Sequence, residues 1–535
     1  MILKITALLA AAALALTSFI ATGSPPVQAT LAVGNSTSAI ASDPSAGVML
    51  VTNQDDGTVS VININTLTVA ATVPVGPNPR RMVIDAATHR AYITNAVNPG
   101  TLTVADTQAG VVATIPVGNT PKSLDANFFI GEVYVANNAG ASVSVISTTT
   151  NTVIATIPVG NSPASPSSNA IIKKLYVVNQ GDNTVSSIDE VTHTVLKTIP
   201  VGKGPISPAI DAQHAKVYVN NLSDKTVSVI DSTTDTVIKV IPTGQGVSGN
   251  GMANFVTVSA VYHRAYLPNG MDGTLTIIDT DTDSVTNTVA VGAGPIDCIV
   301  DANGGNIYVV NQGSNSVSIL SAATESVIDT LPVGSAPWRI LDALGHIFVL
   351  NTNGANPDSV TIAAEENTLA DTQIATEFYE ADFNHYFYTD AEIETRLLVD
   401  GIFGDAWHRT FQFFRVWTAP GPGRLPVCRL FSASFGTLSS HFYTLIPSEC
   451  AARAADGWVL EDPAFFYLMP TDVNGNCPAD TAALFRVYNN GMGGAPNHRL
   501  TADIATRDQM VALGWIAEGN GPLIIFACTP TLLNG

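Results

Sequence analysis

A segment of about 42 residues recurs along the first two thirds of this 535-residue chain. Each copy contains a run rich in Tyr and Val that ends on an Asn, and a Gly that follows "PV"-like residues recurs in step with it. A period of this length is typical of architectures in which each copy is one supersecondary unit. The Asn positions are 53, 95, 137, 179, 221, 269, 311 and 351, and the Gly positions are 34, 76, 118, 160, 202, 244, 292 and 334.

Each copy consists of four short runs of Val, Ile, Thr and Tyr separated by turn residues, which predicts a four-stranded antiparallel meander without a helix. Such sheets bury both faces when they stack around an axis, so the repeats predict a closed β-propeller. Eight copies favour eight blades, with seven as the alternative. The last outer strand is expected from residues 29–34 or, alternatively, from residues 368–375. A Pro three residues after the Gly, as at Pro121, fixes the start of each inner strand.

The segments "AYITN", "VYVANN" and "LYVVNQ", each followed by "TVSVI"-like and "IPVG"-like runs, resemble the YVTN family of β-propeller repeats. The resemblance covers residues 30–374. It implies a closed propeller of the kind found in bacterial and archaeal surface and exported proteins, many of which have seven blades.

The first 29 residues have the pattern of a signal peptide. Lys4 precedes an apolar stretch that runs to about Ala21, and Val27-Gln28-Ala29 is a small-x-small cleavage site, so the mature chain is expected to begin at Thr30. A membrane anchor is the alternative, because the stretch is near the lower length limit for spanning. We therefore predict export to the periplasm, the cell surface or the extracellular space, with no membrane span in the mature chain.

Residues 375–535 carry a second repeat. "NHYFYT", "SHFYT" and "NHRLT" each precede a segment with helical character, and Thr389 with Glu392 is typical of a capping box. These motifs, with "VCRLF", "FRVYNNG" and "GW", resemble the DUF5648 repeat, although the first copy has "DAWHR" where Gly-Trp is expected. We predict a smaller α+β domain of three pseudo-repeats.

Four of the five cysteines lie in this module, which favours two disulfides in an exported protein. Three connectivities are open. We predict Cys428–Cys450 and Cys477–Cys528, because each pair lies within one repeat unit, and a reduced Cys298 in the propeller.

Several propeller motifs have ordinary structural explanations. Gly244, Gly246 and Gly249 satisfy GxGxxG, but no helix is predicted after them, so a dinucleotide site is not expected. The six-residue insertion in this blade departs from the period and could carry a functional site. The Asp-rich segment with Asp279, Asp281 and Asp283 lacks the Gly and Glu of a calcium loop, so a solvated turn is favoured. His89, His214 and His263 occupy the same turn of different blades, which predicts that they lie well apart and share no metal.

The loops at the channel mouth are better candidates, because the blade prolines there are followed by cations that could hold an anionic ligand. These mouth candidates are Arg80, Arg81, Lys122, Trp338 and Arg339.

In the C-terminal module we select His441, Tyr443, His498 and Arg499, since aromatic faces stack on sugars and His or Arg donate to hydroxyls or carboxylates. The alternative is that these side chains are structural.

The net charge of −21 argues against nucleic acid as a partner. No GxSxG, HExxH or P-loop motif occurs, and no catalytic residue, cofactor or metal is predicted. The leading hypothesis is an exported non-enzymatic binding or surface protein whose propeller presents a C-terminal recognition module to a glycan or cell-envelope component. The alternatives are a lactonase-like or glycan-acting hydrolase that uses the channel mouth, and a purely structural envelope protein. The sequence leaves the oligomeric state open.

Overall fold

A computed structural model describes residues 26–244, 255–259, 262–301, 305–322, 324–343, 345–352, 357–364, 372–380, 385–389, 407–435, 438–478, 481–489 and 496–530. Most of residues 1–29, the predicted signal peptide, and the residue Glu392 of the predicted capping box lie outside these ranges. No helix in the described part of the chain is long and apolar enough to cross a membrane.

Eight four-stranded antiparallel sheets, here called blades 1 to 8, follow one another along the chain and confirm the predicted fold class. Blades 1 to 7 are, in strand order, β2–β5 (Thr37–Asp43, Val48–Asn53, Thr58–Asn63, Thr68–Pro74), β6–β9 (Pro79–Asp85, Arg90–Asn95, Thr101–Asp106, Gly110–Pro116), β10–β13 (Pro121–Asn127, Glu132–Asn137, Ser142–Ser147, Thr152–Pro158), β14–β17 (Pro163–Asn169, Lys174–Asn179, Thr184–Asp189, Thr194–Pro200), β18–β21 (Pro205–Asp211, Lys216–Asn221, Thr226–Asp231, Thr236–Pro242), β22–β25 (Thr257–Ser259, Arg264–Asn269, Thr274–Asp279, Ser284–Ala290) and β26–β29 (Pro295–Val300, Asn306–Asn311, Ser316–Ser321, Ser326–Pro332).

Blade 8 combines both ends of the propeller sequence. It consists of β30 (Pro337–Ala343), β31 (His346–Asn351), β32 (Ser359–Ala364) and the N-terminal strand β1 (Val27–Ala32), which pairs antiparallel with β32. The rival outer strand at residues 368–375 does not take this place, because β33 (Thr372–Glu380) belongs to a sheet of the C-terminal module. The inner strand of each blade contacts that of the next, and β30 also contacts β2, so the last blade adjoins the first.

The recurring Asn and Gly touch each other between blades. Asn221 is fully buried, and its side-chain amide donates to Thr226 at 3.1 Å and Ser228 at 2.9 Å in the next strand of the same blade. A Cβ on Gly202, in the crossing from the preceding blade, would lie 2.8 Å from the Asn221 Cβ. Only Gly leaves room for this Asn, which explains why the two residues recur together.

The hydrophobic core lies between neighbouring blades. Tyr176 and Val178 of blade 4, for example, pack with Val217, Val219 and Ile230 of blade 5, and all five are fully buried. Each interface thus buries one face of each of two sheets.

The described residues of the C-terminal module form two sheets and two helices. The first sheet has the strand order β34 (His385–Thr389), β33, β35 (Trp407–Trp417), β38 (Val459–Leu468), β36 (Leu425–Phe435) and β37 (Leu438–Thr444). The second sheet has the strand order β40 (His498–Thr501), β39 (Thr481–Tyr488) and β41 (Ile516–Glu518), and β42 (Ala527–Pro530) also pairs with β39. Helices α1 (Pro447–Ala455) and α2 (Ile504–Ala512) follow the second and third HFYT-like strands. The three HFYT-like strands β34, β37 and β40 contact one another, as a three-repeat domain requires.

The disulfides have the predicted connectivity. Cys428 is bonded to Cys450 and Cys477 to Cys528, while Cys298 is a buried free thiol in blade 7. Each bond therefore restrains a single repeat unit of the module.

Candidate functional site

The first residues of the inner strands surround a cavity of about 380 Å³ at one end of the propeller, here called the mouth. The structure brings Arg80, Arg81, Lys122 and Trp338 into its lining, and Arg339 follows Trp338 on β30. The repeat places these residues together because each lies one or two positions after a blade proline. The volume is within the range of small-molecule sites.

Three of the mouth cations, Arg80, Arg81 and Lys122, have no carboxylate partner among the described residues. Within the described ranges, no Asp or Glu lies within 4.0 Å of the charged ends of Arg80, Arg81 or Lys122. Burial, and then repulsion from Arg339, lowers the pKa of Arg81 well below its usual value. Burial and then Arg80 likewise lower the pKa of Lys122. Bringing an anion into the mouth would relieve this repulsion.

Phe255 is a mouth residue that the sequence reasoning missed. Its ring lies 4.2 Å from the guanidinium carbon of Arg339 and 5.7 Å from that of Arg81, and it lines the cavity. Phe255 lies at the end of the insertion in blade 6. The interruption of the period is therefore the sequence feature that could have indicated it. Arg339 also donates to the buried Asp297 at 3.3 Å, and it is thus the one mouth cation with an acidic partner among those described.

The rest of the described lining is neutral. It supplies hydroxyl and amide groups and contains no Asp, Glu or His side chain; the polar residues are Ser36, Thr37, Ser38, Gln54, Ser123, Ser165, Gln180, Gln312 and Thr352. The mouth can therefore donate many hydrogen bonds, but its described lining offers no carboxyl or imidazole group for acid or base catalysis.

A carboxyl group lines a cavity at the other end of the inner strands. A second cavity of about 410 Å³ is lined by the far ends of the inner strands and contains Asp125, Asn127 and Ser168. Burial raises the pKa of Asp125 to about 6, although the backbone N–H of Ser168 donates to its carboxylate at 2.7 Å. Burial also raises the pKa of Glu190, which accepts from Asn127 at 2.7 Å. Cations therefore line the mouth, whereas the second cavity has the carboxyl group of Asp125 in its described lining.

Two of the C-terminal candidates, His441 and Tyr443, are buried on β37. The backbone N–H of His441 donates to His385 Nε2 at 2.9 Å, and the two rings stack. The Tyr443 hydroxyl donates to the Tyr388 carbonyl at 3.0 Å and accepts the Tyr388 N–H at 3.0 Å. Both side chains therefore join the second repeat to the first.

The other two candidates, His498 and Arg499, lie on β40. His498 stacks on Tyr488, and its Nε2 lies 3.4 Å from Glu518, while burial lowers its pKa. Arg499 pairs with the fully buried Glu377 at 2.8 and 3.0 Å. These contacts are consistent with the structural alternative stated for the four residues.

His89, His214 and His263, here called the rim histidines, were expected to lie well apart. This expectation is wrong for one pair. His214 in blade 5 and His263 in blade 6 have ring centroids 5.3 Å apart, and both contact Asp281. His89 lies elsewhere and pairs with Asp43 at 2.8 Å. Equivalent turns of adjacent blades meet here because long side chains reach across the interface.

The remaining motif residues have structural roles. Asp279 accepts the Thr282 N–H within its own turn. Asp283 is buried, contrary to the expected solvated turn, and accepts from Tyr218 of blade 5 at 2.6 Å. Gly244 lies against Asn269, as the other blade glycines lie against their Asn. Gly246 and Gly249 lie outside the described residues.

The fold and the mouth define this chain as a β-propeller protein with a C-terminal α+β module. Residues 375–524 match a family described as a domain of unknown function, DUF5648. The comparison with curated protein sequences gave no match.

Among solved structures, the chain is similar to the computationally designed Ika8 protein, with 12% identity and a TM-score of 0.52 over 63% of this chain and 98% of that one. It also matches BamB from Moraxella catarrhalis (15% identity, TM-score 0.49, 64% and 99% covered). A third match is the Kuenenia stuttgartiensis hydrazine synthase (16% identity, TM-score 0.44, 62% and 97% covered). At these identities, the likeness to the designed protein concerns the fold alone.

Proposed function

We propose that this protein is an exported, non-enzymatic binding protein in which a propeller of the YVTN type holds an acidic carbohydrate at its mouth. The observation that carries the proposal is the convergence of Arg80, Arg81 and Lys122, without carboxylate partners among the described residues, on a cavity of about 380 Å³. Unpaired cations held together in a partly buried site gain most from an anionic partner.

The neutral part of the mouth supports a carbohydrate. Phe255 and Trp338 offer apolar surface to a sugar ring, and the Ser and Gln side chains can bond to hydroxyls. A glycan of the cell envelope that carries carboxylate or phosphate groups satisfies both the cations and the hydroxyl-binding groups. The two disulfides are compatible with an exported protein.

This proposal differs from the sequence-based hypothesis in where recognition occurs. The four C-terminal candidates are buried or paired inside the module, whereas the mouth cations face a cavity. The neutral and cationic lining also favours binding over the hydrolase alternative, because no carboxyl or imidazole group lines the described part of the cavity.

The experiment is a glycan array with the chain from Thr30 onward, followed by calorimetric titration with the best acidic oligosaccharide and its neutral counterpart. We expect Arg80→Gln and Lys122→Gln each to weaken binding at least about tenfold, since a hydrogen bond to a charged group contributes about 1.5–3 kcal/mol. Lys203→Gln is the matched control: it removes the same charge from an exposed loop of the same face, outside the cavity lining.

The outcomes separate the alternatives. Binding that prefers neutral glycans, or that is unchanged in Arg80→Gln and Lys122→Gln, would contradict a site at the mouth. Release of reducing sugar from the bound glycan would support the hydrolase instead.

A further inference from the structure

His214, His263 and Asp281 form a cluster on the rim between blades 5 and 6. His214 lies in the turn between β18 and β19, His263 in the turn between β22 and β23, and Asp281 in the turn between β24 and β25. Inner strands begin at the mouth, so the far end of β18 is about 20 Å away along the strand. The cluster is therefore on the opposite face from the mouth and separate from the proposed glycan site.

The three side chains present their donor atoms to one point. Asp281 Oδ1 lies 2.7 Å from His214 Nε2 and 3.0 Å from His263 Nδ1. All three donor atoms lie within 4.8 Å of one another. Donors around a tetrahedral zinc ion are about 3.3 Å apart, which follows from bond lengths of roughly 2.0–2.1 Å. Small rotations of these partly exposed side chains bring the two nitrogens to that separation.

A buried acid orients the first histidine. Asp211, whose side chain is almost fully buried, lies 2.8 Å from His214 Nδ1 and accepts a hydrogen bond from it. This hydrogen bond occupies Nδ1, so Nε2 is the nitrogen that faces Asp281 and that an ion can bind. A carboxylate behind an imidazole ligand is the usual arrangement at protein metal sites.

Gln213 takes the corresponding place behind the second histidine. Its side-chain amide lies 3.2 Å from His263 Nε2, and its Oε1 is buried without a hydrogen-bond partner among the described residues. Turning the amide over lets Oε1 accept the His263 Nε2–H, and the Nδ1 lone pair can then bind an ion in place of the hydrogen bond to Asp281. One nitrogen of each histidine, His214 Nδ1 or His263 Nε2, then bonds to a neighbouring side chain. The other nitrogen faces Asp281 and can bind an ion.

We infer that His214, His263 and Asp281 form a binding site for a divalent transition ion of the zinc type, which links blades 5 and 6. Two imidazole nitrogens and one carboxylate oxygen suit Zn²⁺ and its first-row neighbours better than Ca²⁺ or Mg²⁺. The ion takes the place of the direct contact between His214 Nε2 and Asp281, because imidazole and carboxylate ligands bind a metal in their deprotonated forms. The side chain of Asp281 is 53% exposed, which leaves access for the ion and for water as a further ligand.

Two other histidines supply matched controls. His89 pairs with Asp43, and His193 lies 3.0 Å from Glu132, so each also joins a carboxylate of a neighbouring blade. Among the described residues, only the cluster at blades 5 and 6 brings three potential ligands together. If His–carboxylate pairs affect stability in general, substitutions at His89, at His193 and in the cluster would all show it. An effect on ion binding would appear for substitutions in the cluster alone.

The test titrates Zn²⁺ into the chain from Thr30 onward, made without a polyhistidine tag and stripped with a chelator. We expect one ion per chain, a rise in the melting temperature with Zn²⁺, and visible absorption bands when Co²⁺ is used instead. His263→Ala and Asp281→Asn should each weaken Zn²⁺ binding at least about tenfold, while His89→Ala and His193→Ala bind like the unaltered chain.

Asp281→Asn keeps the size of an exposed side chain, so its effect does not depend on refolding the rim. Equal Zn²⁺ affinity in the unaltered chain and in both site variants would overturn the inference. So would a change of Zn²⁺ affinity in His89→Ala or His193→Ala as large as that in His263→Ala.

Discussion

At the scale of single residues, burial decides what a polar side chain does in this molecule. Tyr443 is 1% exposed and holds both backbone polar groups of Tyr388, while the Tyr388 hydroxyl binds the backbone N–H and carbonyl of Leu500. Each tyrosine thus reaches from one repeat to the next. The same hydroxyl on an exposed surface would be free to bind a ligand, and the residue type alone does not distinguish the two cases.

Tyr443→Phe tests this structural role. The ring remains, but the Tyr388 N–H and C=O lose a buried partner, so we expect the free energy of unfolding of the module to fall by about 1–3 kcal/mol. Urea unfolding followed by Trp fluorescence measures it, since four of the five tryptophans lie in the module. Tyr488→Phe, whose hydroxyl makes no hydrogen bond to a described residue, is the control.

Glycan binding provides the second readout for the same variant. We expect Tyr443→Phe to bind an acidic oligosaccharide like the unaltered chain. Loss of binding with unchanged unfolding would instead support recognition by the C-terminal module.

At the scale of elements, the contact between a turn Gly and a strand Asn sets how blades meet. The Asn bonds two hydroxyls of its own blade, and the Gly of the incoming crossing lies against it. Because the same pair recurs in all eight blades, the sequence period and the spacing between blades have one physical origin.

Gly202→Ala should disturb this contact. The new methyl group would lie within 2.8 Å of the buried Asn221 side chain, and we expect a loss of about 1–3 kcal/mol in propeller stability from overpacking. Calorimetric unfolding measures the change. Gly305→Ala is the control, because its methyl group would meet no atom of a described residue closer than 3.9 Å. Equal melting temperatures for both variants would show that the Asn side chain moves aside at little cost.

At the scale of the whole molecule, the N-terminal strand completes the last blade. Thr30, Leu31 and Ala32 pair with Thr361, Val360 and Ser359 of β32, so cleavage after Ala29 preserves these pairs. Without β1, the edge of β32 would be left open for pairing with other chains.

We expect a chain that begins at Asn35 to melt roughly 5 °C or more below the chain that begins at Thr30, and to associate in solution. Thermal unfolding and light scattering after size-exclusion chromatography check the two effects. A monomer with the same melting temperature would mean that β1 contributes little to joining the blades.

The repeat could be interpreted from the sequence because it encodes local geometry. The Asn, Gly and Pro positions predicted eight meanders, their strand order and the cations at the mouth, and pairing within repeat units predicted both disulfides. The DUF5648-like repeats predicted a helical segment after each HFYT-like strand. Helices are present after the second and third strands, and the segment after the first lies outside the described residues.

Only the tertiary structure decided which side chains meet between blades. Phe255 reaches the mouth from the end of an insertion that has no counterpart in the period, and His214 meets His263 although the period places them in equivalent turns of different blades. A sequence repeat specifies which positions are equivalent. Distances across an interface depend instead on how far each side chain extends and in which direction it leaves the backbone, and these are settled when the blades pack against each other.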